Sequence, residues 1–299
     1  MGAPSMISFL ESLLTLAFLA RVVRISVPYL LAALGGAMTE RSGTVDLALE
    51  AKLLWGAFAA AVLSYETGSV AVGIAGAMAA GAAVGALQAL WTVRLGADQV
   101  VTGVALNLAA YGLTRYLLQV LYDQGSNSPT CSGVGDAVWS SPIVIATVIV
   151  TITVIGVVAV TRLGLRIRAS GERPDAVLAA GVSVARTRWI AAILGGAVAG
   201  LGGAQLSLAV NGFVAEMSSG RGYVALAAVI MGGWRPAVVA LVCLGFGLAE
   251  ALQVQMQTEG VGVPTELLKP LPFVLALVLL AVARGRGRAP AALGRSSEH

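Results

Sequence analysis

The sequence predicts an all-α membrane protein, a polytopic bundle with about eight transmembrane crossings, and three observations predict it. Hydrophobic residues make up 58% of the 299 positions and charged residues only 11%, whereas soluble domains carry about 25% charged residues. The mean hydropathy is +0.87. The charges lie mainly between long apolar runs, as they do when successive helices cross a bilayer.

The first 24 residues are predicted to form an interfacial segment. Their apolar stretch, residues 7–20, would be about 21 Å long as a helix, which is short of the roughly 30 Å hydrocarbon core. Arg21 and Arg24 follow this stretch instead of preceding it, so it makes a poor secretory signal. The transmembrane domain is therefore expected over residues 25–283.

Six apolar segments are long enough, or nearly so, to cross the membrane, and they cover residues 69–92, 99–121, 141–161, 188–211, 236–257 and 268–283. Between them, the loop 162–188 holds six arginines, while the loop 122–140 holds two aspartates and no Lys or Arg. The positive-inside rule then places loop 162–188 in the cytoplasm and loop 122–140 outside. The same reasoning predicts cytoplasmic N- and C-termini, the latter as a basic tail over residues 284–299 without fixed structure.

Residues 25–64 do not fit one straight helix, because residues 39–46 in their middle are too polar for a lipid-exposed helix. The orientation of the neighbouring spans requires one net crossing here, with Arg21 and Arg24 inside. A discontinuous helix broken beside a cavity satisfies both conditions. The alternative is two ordinary spans, residues 25–38 and 47–64, which would leave the two arginines outside.

Residues 212–232 form a second irregular region and predict a second discontinuous helix. A polar, glycine-rich lead-in, residues 218–223, precedes a short apolar half-segment. Two broken segments in corresponding halves of a transporter point to its binding pathway. Similarity this short is also explained by composition alone, and that alternative stays open.

Small residues recur every four positions along two of the predicted helices. Such stripes allow helix backbones to approach closely in lipid, so they predict a tightly packed bundle. The two stripes are Gly73, Ala77, Gly81 and Gly85, and Ala192, Gly196, Gly200 and Ala204.

Polar residues within apolar segments are the candidates for a substrate pathway, because burying them in lipid is costly. Asp46 and Glu50 flank the first break, Asn107 lies within the span 99–121, and Trp55 offers an aromatic face. Structural bonding between helices is the rival explanation for each, and Lys52 could simply neutralise a buried carboxylate. Weaker candidates are Gln88, Gln205, Asn211 and Glu250.

The sequence contains few of the residues and motifs that catalysis or metal binding requires. The chain contains one histidine, at its last position, and two distant cysteines, and it has no GxxxxGK[ST], HExxH or GxSxG motif. No catalytic residue, metal site or cofactor is expected, so the energy for any active transport must come from a partner ATPase or an ion gradient. Nucleic acid is not expected as a partner, since the basic residues serve better as topology anchors at the lipid surface.

The loop 162–188 has the features of a displayed short helix. Pro174 suits a first helical turn, Glu172 and Asp175 complement its positive end, and Gly181 suits its C-terminal stop. Such a helix could insert into a groove on another protein, or it could be an ordinary amphipathic connector at the headgroups.

This loop, GERPDAVLAAGVSVARTRW, resembles the coupling segment of permease subunits in ATP-binding-cassette importers of the branched-chain amino acid, simple-sugar and nucleoside class. Three further stretches resemble the same family in the right order, and together the four span residues 40–236: ERSGTVDLALEAKLLWGAF, ADQVVTGVALNLAAYGLT and GRGYVALAAVIMGGWRP. The coupling residues that match the family pattern are Gly171, Glu172, Pro174, Ala176, Ala179 and Gly181.

The resemblance implies a type II importer permease that carries a small polar solute, with a nucleoside or simple sugar favoured. It also implies three protein partners in a prokaryotic plasma membrane: an ATPase subunit, a second permease that completes a heterodimer, and an extracytoplasmic solute-binding protein. The chain departs from the family at Asp46, where Asn is usual, and at Ala51 and Lys52. An ion-coupled secondary transporter is the alternative, motivated by Asp46, Glu50 and Glu250 in apolar surroundings.

Overall fold

The computed structural model describes residues 13, 15–135, 138–258, 274, 278 and 288–295. The helices are α1 (Leu16–Arg41), α2 (Leu49–Thr67), α3 (Val70–Ala89), α4 (Gln99–Tyr122), α5 (Pro142–Val160), α6 (Arg162–Glu172), α7 (Pro174–Ala179), α8 (Val184–Leu208), α9 (Arg221–Met231) and α10 (Pro236–Thr258). One π-helical turn, Leu90–Arg94, extends α3, and a 3-10 turn, Val138–Ser140, precedes α5. Within these ranges no strand forms beyond one isolated bridge, so the predicted all-α class is confirmed.

Five helices in the described ranges are long and apolar enough to cross a membrane: α1, α3 with its π turn, α5, α8 and α10. Their bounds lie within a few residues of the predicted spans, except for α1. The predicted span 268–283 lies outside the residues that the structure describes, apart from two isolated positions. The number of crossings therefore stays a prediction.

The two small-residue stripes pack directly against each other, as predicted. A Cβ atom added at Gly81 would lie 2.2 Å from the carbonyl oxygen of Gly196, and one at Gly85 would lie 2.2 Å from that of Ala192. A Cβ atom added at Gly200 would likewise lie 2.2 Å from the carbonyl oxygen of Ala77. Helices α3 and α8 thus meet backbone to backbone, and van der Waals contact supplies the association that the hydrophobic effect cannot supply in lipid.

Helix α1 begins earlier than predicted. Thr15 caps it by accepting a hydrogen bond from the Phe18 amide at 3.2 Å, and the helix continues unbroken past Arg24 to Arg41. Its 26 residues span about 39 Å, which is sufficient for a full crossing. The last part of the predicted interfacial stretch 7–20 therefore belongs to α1, and residues 7–12 lie outside the described ranges.

The region 25–64 folds as an antiparallel pair of helices and not as the favoured discontinuous helix. Leu49 packs on Gly36, and the hairpin closes through a turn at residues 42–48. At the opposite end, Arg24 donates to the carbonyl of Gly135, and Ser64 donates to that of Ser132 at 2.6 Å. Both far ends thus contact the loop 122–140, because the chain reverses direction at residues 42–48 between two helices.

We call the end of the bundle with loop 162–188 the inner end and the end with loop 122–140 the outer end. The turn 42–48 lies at the inner end, since a Cβ at Gly171 would be 2.2 Å from the Arg41 carbonyl oxygen. Arg24 lies at the outer end and also donates to the Ala209 carbonyl at 2.9 Å. The prediction that Arg21 and Arg24 share a side with loop 162–188 is therefore wrong for Arg24.

The region 212–232 is broken as predicted. After α8 ends, residues 209–220 run as turns at the outer end and pair with the loop there, as when the Ser128 amide donates to the Phe213 carbonyl at 2.8 Å. Only then does α9 begin, and its 11 residues span about 16 Å, roughly half a crossing. Gly220, with φ at 81°, supplies the left-handed backbone conformation at its start.

Candidate functional site

The Glu50 carboxylate lies at the N-terminal end of the half-helix α9. It accepts hydrogen bonds from the backbone amides of Gly220 at 2.8 Å and Gly222 at 2.7 Å, and from the Tyr111 hydroxyl at 2.9 Å. Glu50 is only 1% exposed. A helix N-terminus carries unsatisfied N–H groups and a partial positive charge, so this carboxylate caps α9 from a different helix.

Close packing makes this cap possible. A Cβ at Gly222 would lie 2.4 Å from the Glu50 backbone nitrogen, so only glycine allows α9 to approach α2 here. The helix that follows the first break therefore supplies the carboxylate that caps the second.

Asn107 joins the same cluster from α4. Its Oδ1 accepts from the Ala51 amide at 2.9 Å, and its Nδ2 donates to the Leu47 carbonyl at 2.9 Å and to the Tyr223 hydroxyl at 3.0 Å. The amide thus satisfies backbone groups at the start of α2 and reaches α9. Tyr223 itself is 43% exposed, so the cluster opens to the surface beside α4.

A second polar group lies on the other side of the α9 start. Arg221 forms an ion pair with Glu250 of α10 at 2.7 Å, and the Tyr29 hydroxyl donates to the same carboxylate at 2.6 Å. Both partners of the ion pair remain partly exposed. This arrangement gives the region donors, acceptors and aromatic faces that a polar solute requires.

Asp46 has a different environment. Both of its carboxylate oxygens lie 2.6 Å from the Lys52 ammonium, and both side chains are completely buried. The Asp46 amide donates to Glu40, whose carboxylate also accepts from the Trp234 indole at 2.6 Å. The pair closes the turn 42–48 on itself, as the structural explanation for these charges anticipated.

Trp55 lies apart from these polar groups, in an aromatic cluster. Its ring meets Phe58 edge to face at a centroid distance of 5.8 Å, and Phe58 meets Phe213 in the same way at 5.3 Å. The structure therefore brings Glu50 and Asn107 together and places Asp46 and Trp55 in separate surroundings.

Among the weaker candidates, Glu250 belongs to the site through its ion pair with Arg221. Gln88 donates to the Val45 carbonyl at 3.0 Å and so supports the turn between α1 and α2. Asn211 is exposed in the turn after α8, with a positive φ of 56°. Gln205 is buried within α8.

Sequence reasoning missed the tyrosines of the site, Tyr29, Tyr111 and Tyr223. The hydroxyl of each is a polar group within an apolar helix, and that signal applies to tyrosine as it does to asparagine. It also missed Glu40 and Trp234 as partners, because 194 positions separate them in the sequence.

The predicted coupling segment consists of two helices, since Glu172 ends α6 and Pro174 begins α7. The predicted start at Pro174 is therefore confirmed, and Gly181, with φ at 75°, follows the helix. Gly171 is buried, Pro174 is half-buried, and Glu172, Ala176 and Ala179 are exposed. A groove of about 500 Å³ lies between α6 and α7.

No group of three His, Cys, Asp or Glu side chains within the described ranges is arranged to hold a metal ion. The fold defines a class of protein, a polytopic helical membrane protein, and one of its helices is a half-helix capped by a buried carboxylate. A sequence model of the family described as "Branched-chain amino acid transport system / permease component" matches residues 18–283. The chain belongs to this permease family, as the four motif blocks indicated.

Individual relatives agree with this assignment. The nucleoside ABC transporter permease protein NupC of Lactococcus lactis is 35% identical over 79% of this chain and 81% of its own length. The guanosine ABC transporter permease protein NupQ of Bacillus subtilis is 32% identical over 76% and 78%. The putative glucose ABC transporter permease protein TsgC13 of Haloferax volcanii is 32% identical over 77% and 74%. No solved structure matches the chain.

The protein is thus a permease subunit of an ATP-binding-cassette transporter, and it is a transport protein rather than an enzyme. It is a multi-pass protein of the inner membrane. Permeases of this importer family work with an ATPase subunit and a solute-binding protein.

Proposed function

We propose that this permease imports an uncharged solute rich in hydrogen-bonding groups, a nucleoside first and a simple sugar second. The pathway runs beside the start of α9. The names of NupC and NupQ support a nucleoside, and that of TsgC13 supports a sugar. The observation that carries the proposal is the Glu50 carboxylate on the end of the half-helix.

The position of Glu50 favours an uncharged solute. In transporters with discontinuous helices, the positive end of a half-helix points at an anionic group of the substrate. Here a carboxylate of the chain itself fills that place with three hydrogen bonds. A carboxylate or phosphate on the solute would meet this negative charge, so amino acids and nucleotides are disfavoured at this point.

The groups around Glu50 suit a nucleoside. Tyr111 and Tyr223 offer aromatic faces for a base, and Arg221 and Glu250 offer a donor and an acceptor for ribose hydroxyls. We assign Glu50 and Asn107 to the wall that positions these groups. Asp46 stabilises the same wall through Lys52, and Trp55 forms an aromatic section further along α2.

We also propose that the end of α6 and the helix α7 form the coupling segment that docks into the ATPase. The residues involved are those of the motif: Gly171, Glu172, Pro174, Ala176, Ala179 and Gly181. Two exposed alanines on a six-residue helix provide a narrow apolar knob, and Glu172 provides a charged contact beside it. ATP-driven closure of the ATPase subunits would move this segment and switch the access of the pathway.

The coupling segment determines the proposed orientation. The ATPase lies in the cytoplasm, so the inner end, with the arginines of loop 162–188, is cytoplasmic. Residues 288–295 contact Gly171 and Gly43 at this end, which supports a cytoplasmic C-terminus. The start of α1 then faces the outside, and a cytoplasmic N-terminus would require the preceding residues to cross as well.

A second permease is proposed to cover α4. Most side chains along one face of this helix are exposed, including Val101 at 68%, Leu108 at 66% and Tyr116 at 64%. Arg115 is exposed on the same helix, where contact with lipid would be costly. The opening beside Tyr223 lies near α4 too, so a partner there would complete the pathway of a heterodimer.

The test is purification of the tagged chain from its native membrane in mild detergent, followed by identification of bound proteins and an assay of ATP hydrolysis. We expect an ATPase to co-purify with the wild type, and its activity to be uncoupled from transport in Glu172→Arg and Pro174→Gly while membrane insertion stays normal. Glu66→Arg, the same charge change at an exposed outer position, serves as the matched control.

Uptake by the complex in proteoliposomes tests the solute. We expect uptake of a nucleoside to exceed uptake of its 5′-monophosphate and of leucine. Nucleoside uptake by the isolated chain, driven by an ion gradient without ATP, would contradict the importer and support the ion-coupled alternative. Normal coupling in Glu172→Arg and Pro174→Gly would remove the docking role of the segment.

A further inference from the structure

The described part of the C-terminal tail, residues 288–295, is folded against the inner end of the bundle. The Ala292 amide donates to the Gly171 carbonyl at 2.8 Å, and the Gly294 amide donates to the Gly43 carbonyl at 3.2 Å. Ala292 is only 1% exposed, and Leu293 packs against the main hydrophobic core. This stretch of the predicted tail 284–299 is therefore structured, which differs from the prediction of a tail without fixed structure.

Arg188, near the start of α8, joins this segment to the turn 42–48. Its Nε donates to the Ser42 carbonyl at 3.2 Å, and its Nη1 donates to the Arg295 carbonyl at 3.0 Å. The side chain is only 2% exposed, so its charge is buried among backbone carbonyls. A guanidinium suits this position because its planar fork can donate to two separate acceptors at once.

The segment lies between two places that the proposed mechanism must connect. Gly171 immediately precedes Glu172 and the helix α7, and Gly43 opens the turn 42–48 that leads to Glu50. The contacts therefore form a continuous route from the coupling segment, through residues 288–295, to the carboxylate that caps α9. Gly171 also contacts the Arg41 backbone directly, and this contact offers a second route from the coupling segment to the turn 42–48.

We infer that residues 288–295, positioned by Arg188, form a coupling strap that transmits movement of the α6–α7 segment to the turn 42–48 and the polar site. The inference rests on the proposed coupling role of α6 and α7. Packed, hydrogen-bonded contacts of this kind are the physical means by which two distant sites bias each other.

The test compares Ala292→Glu with Ala291→Glu in the purified complex with its ATPase, reconstituted in proteoliposomes. The two neighbours receive the same change, but Ala291 is exposed whereas Ala292 is buried against Gly171. The readout is solute taken up per ATP hydrolysed, because this ratio does not depend on how much protein is present. We expect Ala292→Glu to lower the ratio about tenfold, within the range for changes along a coupling route, and Ala291→Glu to match the wild type.

A second pair of variants distinguishes a loss of coupling from a loss of folding. Arg188→Lys keeps the charge and most of the volume but loses the fork, while Arg186→Lys makes the same change at an exposed position two residues away. We expect Arg188→Lys to reduce uptake per ATP while the ATPase still co-purifies and the thermal unfolding temperature of the complex stays near that of Arg186→Lys.

The outcomes separate the two proposals. A wild-type chain that binds no ATPase would overturn the proposed function itself. A wild-type ratio of uptake to hydrolysis in both Ala292→Glu and Arg188→Lys would overturn the strap alone and would leave the direct contact of Gly171 with Arg41 as the route. A reduced yield with an unchanged ratio would also contradict the strap, since it shows a purely structural role.

Discussion

Residues 42–48 and residues 209–220 both interrupt apolar helices with glycine and polar side chains, yet their surroundings differ. The first forms a turn at the inner end, and its Asp46–Lys52 ion pair is fully enclosed. The second leads from the outer end to the start of the half-helix α9, where Arg221 and Tyr223 remain accessible. Asp46 in the first break is paired by Lys52 of the helix that directly follows it, whereas the second break is capped by Glu50 from a helix that is distant in the sequence.

This difference shows that a polar break in a membrane helix can serve either of two purposes. A break whose buried charge is paired by the helix that follows it is a structural corner, because its charged groups already have partners. A break whose backbone amides are capped from another helix can leave nearby side chains, here Arg221 and Tyr223, accessible to a solute. The first break is therefore a structural corner, and the second is the accessible part of the candidate site.

The largest effect is expected from Lys52→Met at the closed break. It leaves the Asp46 carboxylate buried without its partner, which costs about 3–5 kcal/mol of stability. Thermal unfolding in detergent measures this loss. The double variant with Asp46→Leu should recover most of it, since removing both charges together is often nearly neutral. Equal stability of Lys52→Met and wild type would show that the corner does not depend on the pair.

A smaller loss is expected from Gly222→Ala at the open break. The added Cβ would lie 2.4 Å from the Glu50 backbone nitrogen, so α9 must shift at a cost of about 1–3 kcal/mol. Uptake should fall together with stability. Gly156→Ala on α5 is the control, because no atom of a neighbouring element lies within 4 Å of its added Cβ and alanine favours a helix. If Gly222→Ala transports normally, the close contact of α2 and α9 is not required.

Glu50→Gln should cost less stability but change transport. The amide keeps the shape but loses the charge-assisted hydrogen bonds to α9, a difference of about 1 kcal/mol. We expect nucleoside uptake to fall and the preference for nucleoside over its 5′-monophosphate to narrow. Glu66→Gln, exposed at the outer end, is the control. An unchanged preference would mean that the cap does not select against anions.

The smallest expected effect is on the labelling rate of Cys131. This residue lies in the loop 122–140, and that loop contacts the outer ends of both α1 and α2. Cys131 is a free thiol, 6% exposed, and burial raises its pKa, so its thiolate fraction is low at neutral pH. A membrane-impermeant maleimide should label it slowly. Ser132→Cys, at the exposed neighbouring position in a Cys131→Ser background, should react faster. Equal labelling would show that this loop opens away from the bundle.

The sequence predicts the helices well where hydropathy alone decides. The spans that become α3, α4, α5, α8 and α10 are found within a few residues, because each must satisfy its backbone hydrogen bonds internally in lipid. The facing glycine stripes are predicted for the same reason, since close approach needs small residues on both helices. Glu50 and Asn107 are found because a buried polar group stands out in an apolar run.

The direction of α1 could not be predicted in the same way. The arginines at its start are few, and counting charges assigned them to the cytoplasmic side, whereas contacts of Arg24 with Gly135 and Ala209 place it at the outer end. A local charge count carries no information about a hydrogen bond that joins residues 185 positions apart.

Composition and periodicity by themselves thus determined that the chain is a helical membrane bundle, where most of its helices lie and which polar residues are unusual. The tertiary structure decided which of those residues meet: Asp46 with Lys52, Glu50 with the start of α9, and the C-terminal segment with Gly171. The physical reason is that hydropathy is a property of each segment, while the pairing of buried polar groups depends on the three-dimensional path of the whole chain.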